Sequence, residues 1–178
     1  MLLKIFYVIG GLILLVLIVA LFVKKDYTIE REIVIERPVA QVFDYVRYLK
    51  NQDNFSKWNM TDPGMKKAYK GTDGTVGFVY SWDSANKQVG KGEQELKNIT
   101  DGQRVDMEVR FIKPFEGVAS SAFTTESINA GSTKVKWSFK SEMPYPMNLA
   151  RLFMNIEDML GKDMDAGLVN LKRVLENK

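Results

Sequence analysis

The chain has 178 residues with neither cysteine nor histidine, and its 25 basic against 22 acidic residues leave a formal charge of only +3. Without thiol or imidazole there is no disulfide scaffold, no cysteine nucleophile, no Ser-His-Asp triad and no His/Cys zinc site. Setting aside Lys4, Lys24 and Lys25 beside the apolar N-terminus leaves bases and acids in equal number, which gives nucleic-acid binding no electrostatic support.

Ile5 to Val23 read IFYVIGGLILLVLIVALFV, uncharged throughout and interrupted only by Gly10 and Gly11. As a helix this stretch covers roughly 28 Å, close to the thickness of a bilayer's hydrocarbon core. A cleaved signal peptide usually has a shorter apolar stretch, about 7 to 15 residues, ending in a small-residue cleavage site. None follows here, so residues 1–25 are expected to form an uncleaved transmembrane anchor with its flanks, and residues 26–178 a single soluble domain. Lys4 on one side and Lys24 and Lys25 on the other leave open which side of the membrane the domain faces.

Next along the chain, Tyr27 to Glu36 alternate, with Ile29, Ile33 and Ile35 on one face and Thr28, Glu30, Glu32 and Glu36 on the other, the pattern of a strand with one wet face. Pro38 suits a helix start, and Val39, Val42, Phe43 and Val46 form the stripe of a short helix ending near Leu49. The segment NQDNFSKWNMTDPG is rich in turn formers and is expected to be a loop or broken helix with Phe55 and Trp58 turned inward.

From Met65 to Met143 the pattern predicts about six antiparallel strands. The turns fall at Gly71 to Gly74, Asp83 to Asn86, Asp101-Gly102, Lys113-Pro114 and Asn129 to Gly131. One face carries Val76, Phe78, Tyr80 and Trp82, then Val105, Met107, Val109 and Phe111, then Val135, Trp137 and Phe139. Such a dry face must be covered, because exposing it forfeits about 25 cal/mol per Å² of apolar area. The predicted cover is one long amphipathic helix carrying Leu149, Phe153, Ile156, Leu160, Met164, Gly167, Leu171 and Val174. Gly161 and Gly167 within it suggest a kink or a close approach to the sheet.

This order resembles the helix-grip fold of the START-like (SRPBCC) superfamily, an α+β architecture in which a curved antiparallel sheet grips a long C-terminal helix. The likeness rests on Ile33-Val34-Ile35-Glu36-Arg37-Pro38 leading into Val42-Phe43, on Gly74-Thr75-Val76-Gly77, Gly90-Lys91-Gly92 and Gly131-Ser132-Thr133-Lys134-Val135-Lys136-Trp137, and on the amphipathic ending. It is most similar to the polyketide cyclase/dehydrase and lipid-transport branch, whose usual tryptophan pair after the first helices is reduced here to Trp58. The resemblance implies an elongated cavity for a lipid or other apolar small molecule, walled by Phe78, Tyr80, Trp82, Gln94, Met107, Phe123, Trp137, Phe139, Phe153 and Met164. From periodicity alone, filling an ordinary core is the weightier reading of the same residues. Met143, Met147, Met154, Met159 and Met164 would give such a wall pliability.

No motif calls for a cofactor or a metal, and no catalytic residue is identified. Glu157 and Asp158 point about 100° apart on a helix and, with Asp163 and Asp165, read as solvated charge. The expected function is a membrane-anchored binding module, with a regulatory or interaction scaffold and a cyclase- or hydrolase-type enzyme as alternatives. With only Lys24, Lys25 and Asp26 between anchor and first strand, the tether reaches at most about 11 Å, so the domain is expected to take its ligand from its own bilayer rather than ferry it.

Overall fold

The computed structural model describes residues 2–177. In chain order it comprises helix α1 (Leu2–Phe22), strand β1 (Asp26–Ile35), helix α2 (Val39–Val46), a 3-10 helix (Leu49–Asn54), the short α3 (Lys57–Thr61), strands β2 (Lys66–Lys70), β3 (Val79–Asp83), β4 (Lys91–Thr100), β5 (Arg104–Lys113), β6 (Gly117–Asn129) and β7 (Ser132–Glu142), a second 3-10 helix (Met147–Leu152), and α4 (Ile156–Glu176). The seven strands form one antiparallel sheet in the order β1-β7-β6-β5-β4-β3-β2, so the first strand closes onto the last and the remainder is a meander. Register shifts between Leu96 and Asn98 in β4 and between Ser127 and Asn129 in β6 add local bend.

The strand alternation is realised as an inner face turned toward the helices. On β1, Ile29 and Ile35 are buried while Thr28, Glu30, Glu32 and Val34 face solvent. On β5, Val105, Met107 and Val109 are buried, and across the sheet Phe123 lies opposite Val105 and Trp137. The helices close this face. Val42, Phe43 and Val46 of α2, Leu49 and Phe55 of the following segment, and Met164, Leu168, Leu171 and Leu175 of α4 join the inner strand residues in a single core. Phe55 is fully buried and Trp58 packs edge-on against Trp137 at 5.8 Å, the inward turn expected of both.

The glycines of α4 mark close approach to the sheet. A Cβ on Gly161 would run into the Arg31 guanidinium, and one on Gly167 would lie 2.9 Å from the Trp137 ring. Ion pairs and caps fasten the helix along β1: Arg31 Nε donates to Asp165 at 3.0 Å, Lys172 Nζ to the Val34 carbonyl at 2.7 Å, and the Glu36 amide to Glu176 at 2.7 Å.

Two expectations change. The C-terminal helix begins at Ile156 and not near Leu149, because Asn155 caps it by accepting from the Asp158 amide at 3.0 Å, while Leu149 lies in the separate 3-10 turn and Phe153 follows it. The apolar recurrence across residues 149–156 therefore bridges a break. Val76 is 60% exposed in the turn ahead of β3, where positive φ angles at Gly74 and Gly77 hold the chain out of extended geometry.

Helix α1 is apolar and long enough to cross a membrane, and of Lys4–Phe22 only Ala20 is buried against the rest of the protein. Its contacts with the rest of the protein centre on the second 3-10 segment. A helix end leaves carbonyls without intrahelical partners, and here side chains from the second 3-10 segment supply them. The buried Asn148 donates to the carbonyls of Ala20 (2.7 Å) and Val23 (2.9 Å), and Arg151 to those of Lys24 (2.9 Å) and Asp26 (2.7 Å).

Candidate functional site

The inner face of the sheet has two halves. In the deep half, toward the C-terminal end of α4, aromatic rings meet one another: Phe123 lies 4.9 Å from Trp137 and 5.9 Å from Phe55, and Phe55 lies 6.3 Å from Trp137. These side chains fill the space between sheet and helices. Toward the α1 end lies a row of half-buried rings, Trp82 on β3, Phe111 on β5, Phe139 on β7 and Tyr27 on β1, each 6.5 Å from the next. Gly92 sits within this row, where a Cβ would strike the Trp82 ring at 2.6 Å, so the glycine lets that ring come close to β4.

Nine of the ten residues singled out in the sequence come to this inner face or the core behind it. Phe78, Tyr80, Met107, Phe123, Trp137 and Met164 are buried, while Trp82, Gln94 and Phe139 are half-buried. Phe153 is the exception. It is 86% exposed beside the end of α1, because the break before α4 carries it off the sheet-facing stripe. The methionines depart in the same way: Met147, Met154 and Met159 are about half exposed on the outside, and of the five only Met164 is buried.

Polar groups on this face are paired. The Tyr80 hydroxyl donates to Asp53 at 2.6 Å, Trp82 Nε1 to the Val89 carbonyl at 3.2 Å, and Trp137 Nε1 to Ser121 Oγ at 3.0 Å. Asp53 also accepts from Asn59 (2.8 Å) and Lys67 (2.9 Å). Burial alone would raise the Asp53 pKa, but the hydrogen bonds from Lys67, Tyr80 and Asn59 outweigh it and hold the carboxyl below its ordinary range. Burial, reinforced by the neighbouring carboxylate, pushes the Tyr80 hydroxyl up. The pair is thus a fixed carboxylate and a fixed donor, tying the first 3-10 segment to the edge of the sheet. Near the centre, the amides of Gln52 and Gln94 both point their Nε2 atoms at the Met107 thioether, at 3.7 and 2.8 Å. A thioether is a weak acceptor. These amides are the polar groups of the inner face least well matched by protein partners.

An open recess of about 550 Å³ lies at the junction with α1, lined by Val23, Lys24, Leu152, Phe153, Met154, Arg151, Asn155 and Glu157. Arg151 spans it, donating to Glu157 at 2.5 Å, with its guanidinium 5.7 Å from the Tyr27 ring centre. The recess therefore borders the end of the aromatic row. A smaller hollow of about 270 Å³ on the outer face is lined by Glu30, Arg104, Glu126, Lys134 and Lys136 with Thr124 and Ser138, a solvated charge lattice. Among the described residues no cluster of acidic side chains could hold a metal ion.

The sequence reading did not select Tyr27, Phe111, Gln52, Asp53 or Arg151. Tyr27 and Phe111 carried a usable signal, since each continues the inner-face alternation, of Ile29 and of Val109. Gln52, Asp53 and Arg151 lie in irregular segments, where no periodicity marks the inward side.

Comparison with known proteins agrees with this architecture. A family model described as "Polyketide cyclase / dehydrase and lipid transport" matches residues 26–176. Among solved structures, protein MLL2253 from Mesorhizobium loti superposes with a TM-score of 0.61 at 14% identity, covering 85% of this chain and 98% of its own. Norcoclaurine synthase from Thalictrum flavum, in complex with dopamine and hydroxybenzaldehyde, gives 0.59 at 13% identity over 90% and 93%. The Aha1 dimer from Colwellia psychrerythraea gives 0.57 at 12% over 84% and 96%. Identities this low speak to fold alone. Comparison with curated proteins gave no match. By its matched length, its seven-stranded sheet and its gripping helix, the chain belongs to the polyketide cyclase/dehydrase and lipid-transport family, with an apolar helix ahead of the shared fold.

Proposed function

We propose that the protein is a membrane-anchored binding module for a lipid or another apolar small molecule, held between the sheet and α4 and admitted at the α1 end. The observation that carries this reading is the half-buried row Tyr27, Phe139, Phe111 and Trp82, whose tilted and edge-on rings offer a continuous apolar surface beside the buried core. The Gln52 and Gln94 amides beyond it would give a ligand's polar group donors now served only by a thioether. Family membership supports the reading, as does a fold neighbour holding two small aromatic molecules. In the proposed arrangement α1 spans the bilayer, Arg151 and Asn148 hold its end against the domain, and ligand passes from the adjoining leaflet with no aqueous crossing. Residues 1–25 then serve as the anchor and 26–178 as the binder.

The filled deep half of the interior favours a second reading, a scaffold of the same fold whose aromatic residues are ordinary core. Native mass spectrometry of the full chain released from mild detergent separates the two. A co-purified amphiphile, or uptake of a fluorescent fatty acid or phospholipid at one-to-one stoichiometry, is the expected result. A bare mass in every preparation and no uptake would favour the scaffold.

A further inference from the structure

Two groups of apolar side chains stand in solvent at the end of the sheet from which α1 departs. One is the segment after β7, with Leu152 at 55%, Phe153 at 86% and Met154 at 52% exposure, adjoining the end of α1. The other is the β5–β6 hairpin, with Ile112 at 43%, Phe115 at 68% and Val118 at 55%. Strand register fixes their common end. Asp26 at the start of β1 lies opposite Glu142, Ser141 lies opposite Ala119, and Gly117 at the start of β6 lies opposite Phe111. At about 4.8 Å per strand, the hairpin tip stands roughly 10 to 14 Å along the sheet from the first residues of β1.

The join to α1 leaves little freedom. Only Val23, Lys24 and Lys25 separate its last residue from β1, and the clamp by Asn148 and Arg151 is reinforced by a bond from the Met143 amide to the Lys25 carbonyl at 2.9 Å. Because α1 joins the sheet at this end and is exposed along nearly all of its length, a membrane surrounding it lies against this same end. The charges there are balanced: Lys24, Lys25, Lys91 and Lys113 stand among Asp26, Asp83, Glu116 and Glu142, with Lys91 directly opposite Lys113 in the ladder and its ammonium on Asp83 at 2.8 Å, so Lys24, Lys25 and Lys113 are the ones placed to meet headgroups. Lysines flanking exposed aromatic and branched side chains are what an interfacial contact requires, because the ammonium heads reach phosphates while the apolar groups enter the acyl boundary.

We propose that the β5–β6 hairpin is a second membrane contact, with Ile112, Phe115 and Val118 entering the headgroup–acyl boundary of the bilayer that α1 crosses. This rests on the reading of α1 as a membrane span. The occupant is that bilayer, because strand register puts the hairpin at the same end of the sheet as the α1 exit and both carry apolar side chains beside lysines. Two contacts in place of one prevent the domain from swivelling about α1, and they hold the open ends of Tyr27 and Phe111 toward lipid.

The absence of native cysteine makes single-site labelling unambiguous. The full chain would be reconstituted into phosphatidylcholine–phosphatidylglycerol vesicles as Phe115→Cys, Val16→Cys and Gln103→Cys, each carrying an environment-sensitive fluorophore. Gln103 is exposed at the opposite end of the sheet. Shallow and deep doxyl-labelled phospholipids then report depth. The expected result is quenching of the Phe115 label chiefly by the shallow probe, of Val16 by the deep probe, and of Gln103 by neither. With a label at Val118→Cys, adding Phe115→Asp should cut shallow quenching by about twofold or more. A quenched Val16 label with Phe115 as unquenched as Gln103 would overturn the hairpin contact and leave the anchor standing. An unquenched Val16 label would overturn the anchor reading and the hairpin contact with it. Energy transfer between differently labelled copies, without lipid quenching at Phe115, would assign the tip to a chain–chain interface and likewise overturn the proposal.

Discussion

Asp53 shows how one carboxylate organises the cover of the inner face. Three donors from Asn59, Lys67 and Tyr80 converge on it, joining the first 3-10 segment, α3, the edge strand β2 and its neighbour β3. Hydrogen bonds to a charged group contribute about 1.5 to 3 kcal/mol, so Asp53→Ala should destabilise the protein by about 2 kcal/mol in denaturant unfolding. The pH dependence follows from the direction of the shift. Its folded pKa lies below the unfolded value of about 3.9, so the folded state favours the ionised form and the stabilisation is present above that pH. It is lost as pH falls through the folded pKa. The stability gap between wild type and Asp53→Asn should therefore be wide near pH 6 and narrow on approaching pH 3; a gap that widens on acidification would contradict the network. Two aromatic residues supply a sharper contrast. Trp137→Ala, in the filled half, should cost about 3 to 5 kcal/mol. Phe153→Ala, 86% exposed, should change stability by less than about 0.5 kcal/mol.

At the scale of elements, α4 decides whether the grip holds. Leu168 and Leu171 face the core, whereas their neighbour Val169 is 48% exposed. Leu171→Asp would put an unpaired charge into the core and should cost roughly 4 kcal/mol or more, seen as loss of cooperative melting. Val169→Asp should leave the melting curve nearly unchanged. Equal effects at the two positions would mean that the phase of the helix against the sheet is wrong. This phase is legible in the sequence because Ile156, Met164, Gly167 and Leu171 recur at helical spacing and all prove buried, just as Val105, Met107 and Val109 repeat at strand spacing. Legibility ended where the chain turns irregular. The apolar spacing of Leu149, Phe153 and Ile156 imitated a helix across a break that only Asn155 marks, and so Phe153 was expected on the wrong side. The inward positions of Gln52 and Asp53, and the clamp made by Asn148 and Arg151, depend on tertiary partners more than twenty residues away and leave no local pattern.

At the scale of the whole molecule, two structural facts bear on function together. The shared fold is complete within residues 26–176, and the helix ahead of it is joined through a short, multiply bonded link and not a flexible tether. On the proposed reading, the half-buried aromatic row, the recess beside it and the exposed hairpin all lie at the end facing the bilayer, and the filled half of the interior lies at the far end. The domain would then exchange its ligand with the leaflet beneath it, and opening would need only the rings of Tyr27, Phe111, Phe139 and Trp82 to part, without disturbing the core of Phe55, Phe123 and Trp137. The most direct test is photo-crosslinking of the full chain in vesicles containing a phospholipid with a diazirine on its acyl chain, with the adducts mapped by peptide mass spectrometry. Adducts on peptides carrying Trp82 and Phe139, reduced by competition with unlabelled lipid, are the predicted result; adducts confined to α1 and the exposed apolar tips would contradict lipid binding between sheet and helix.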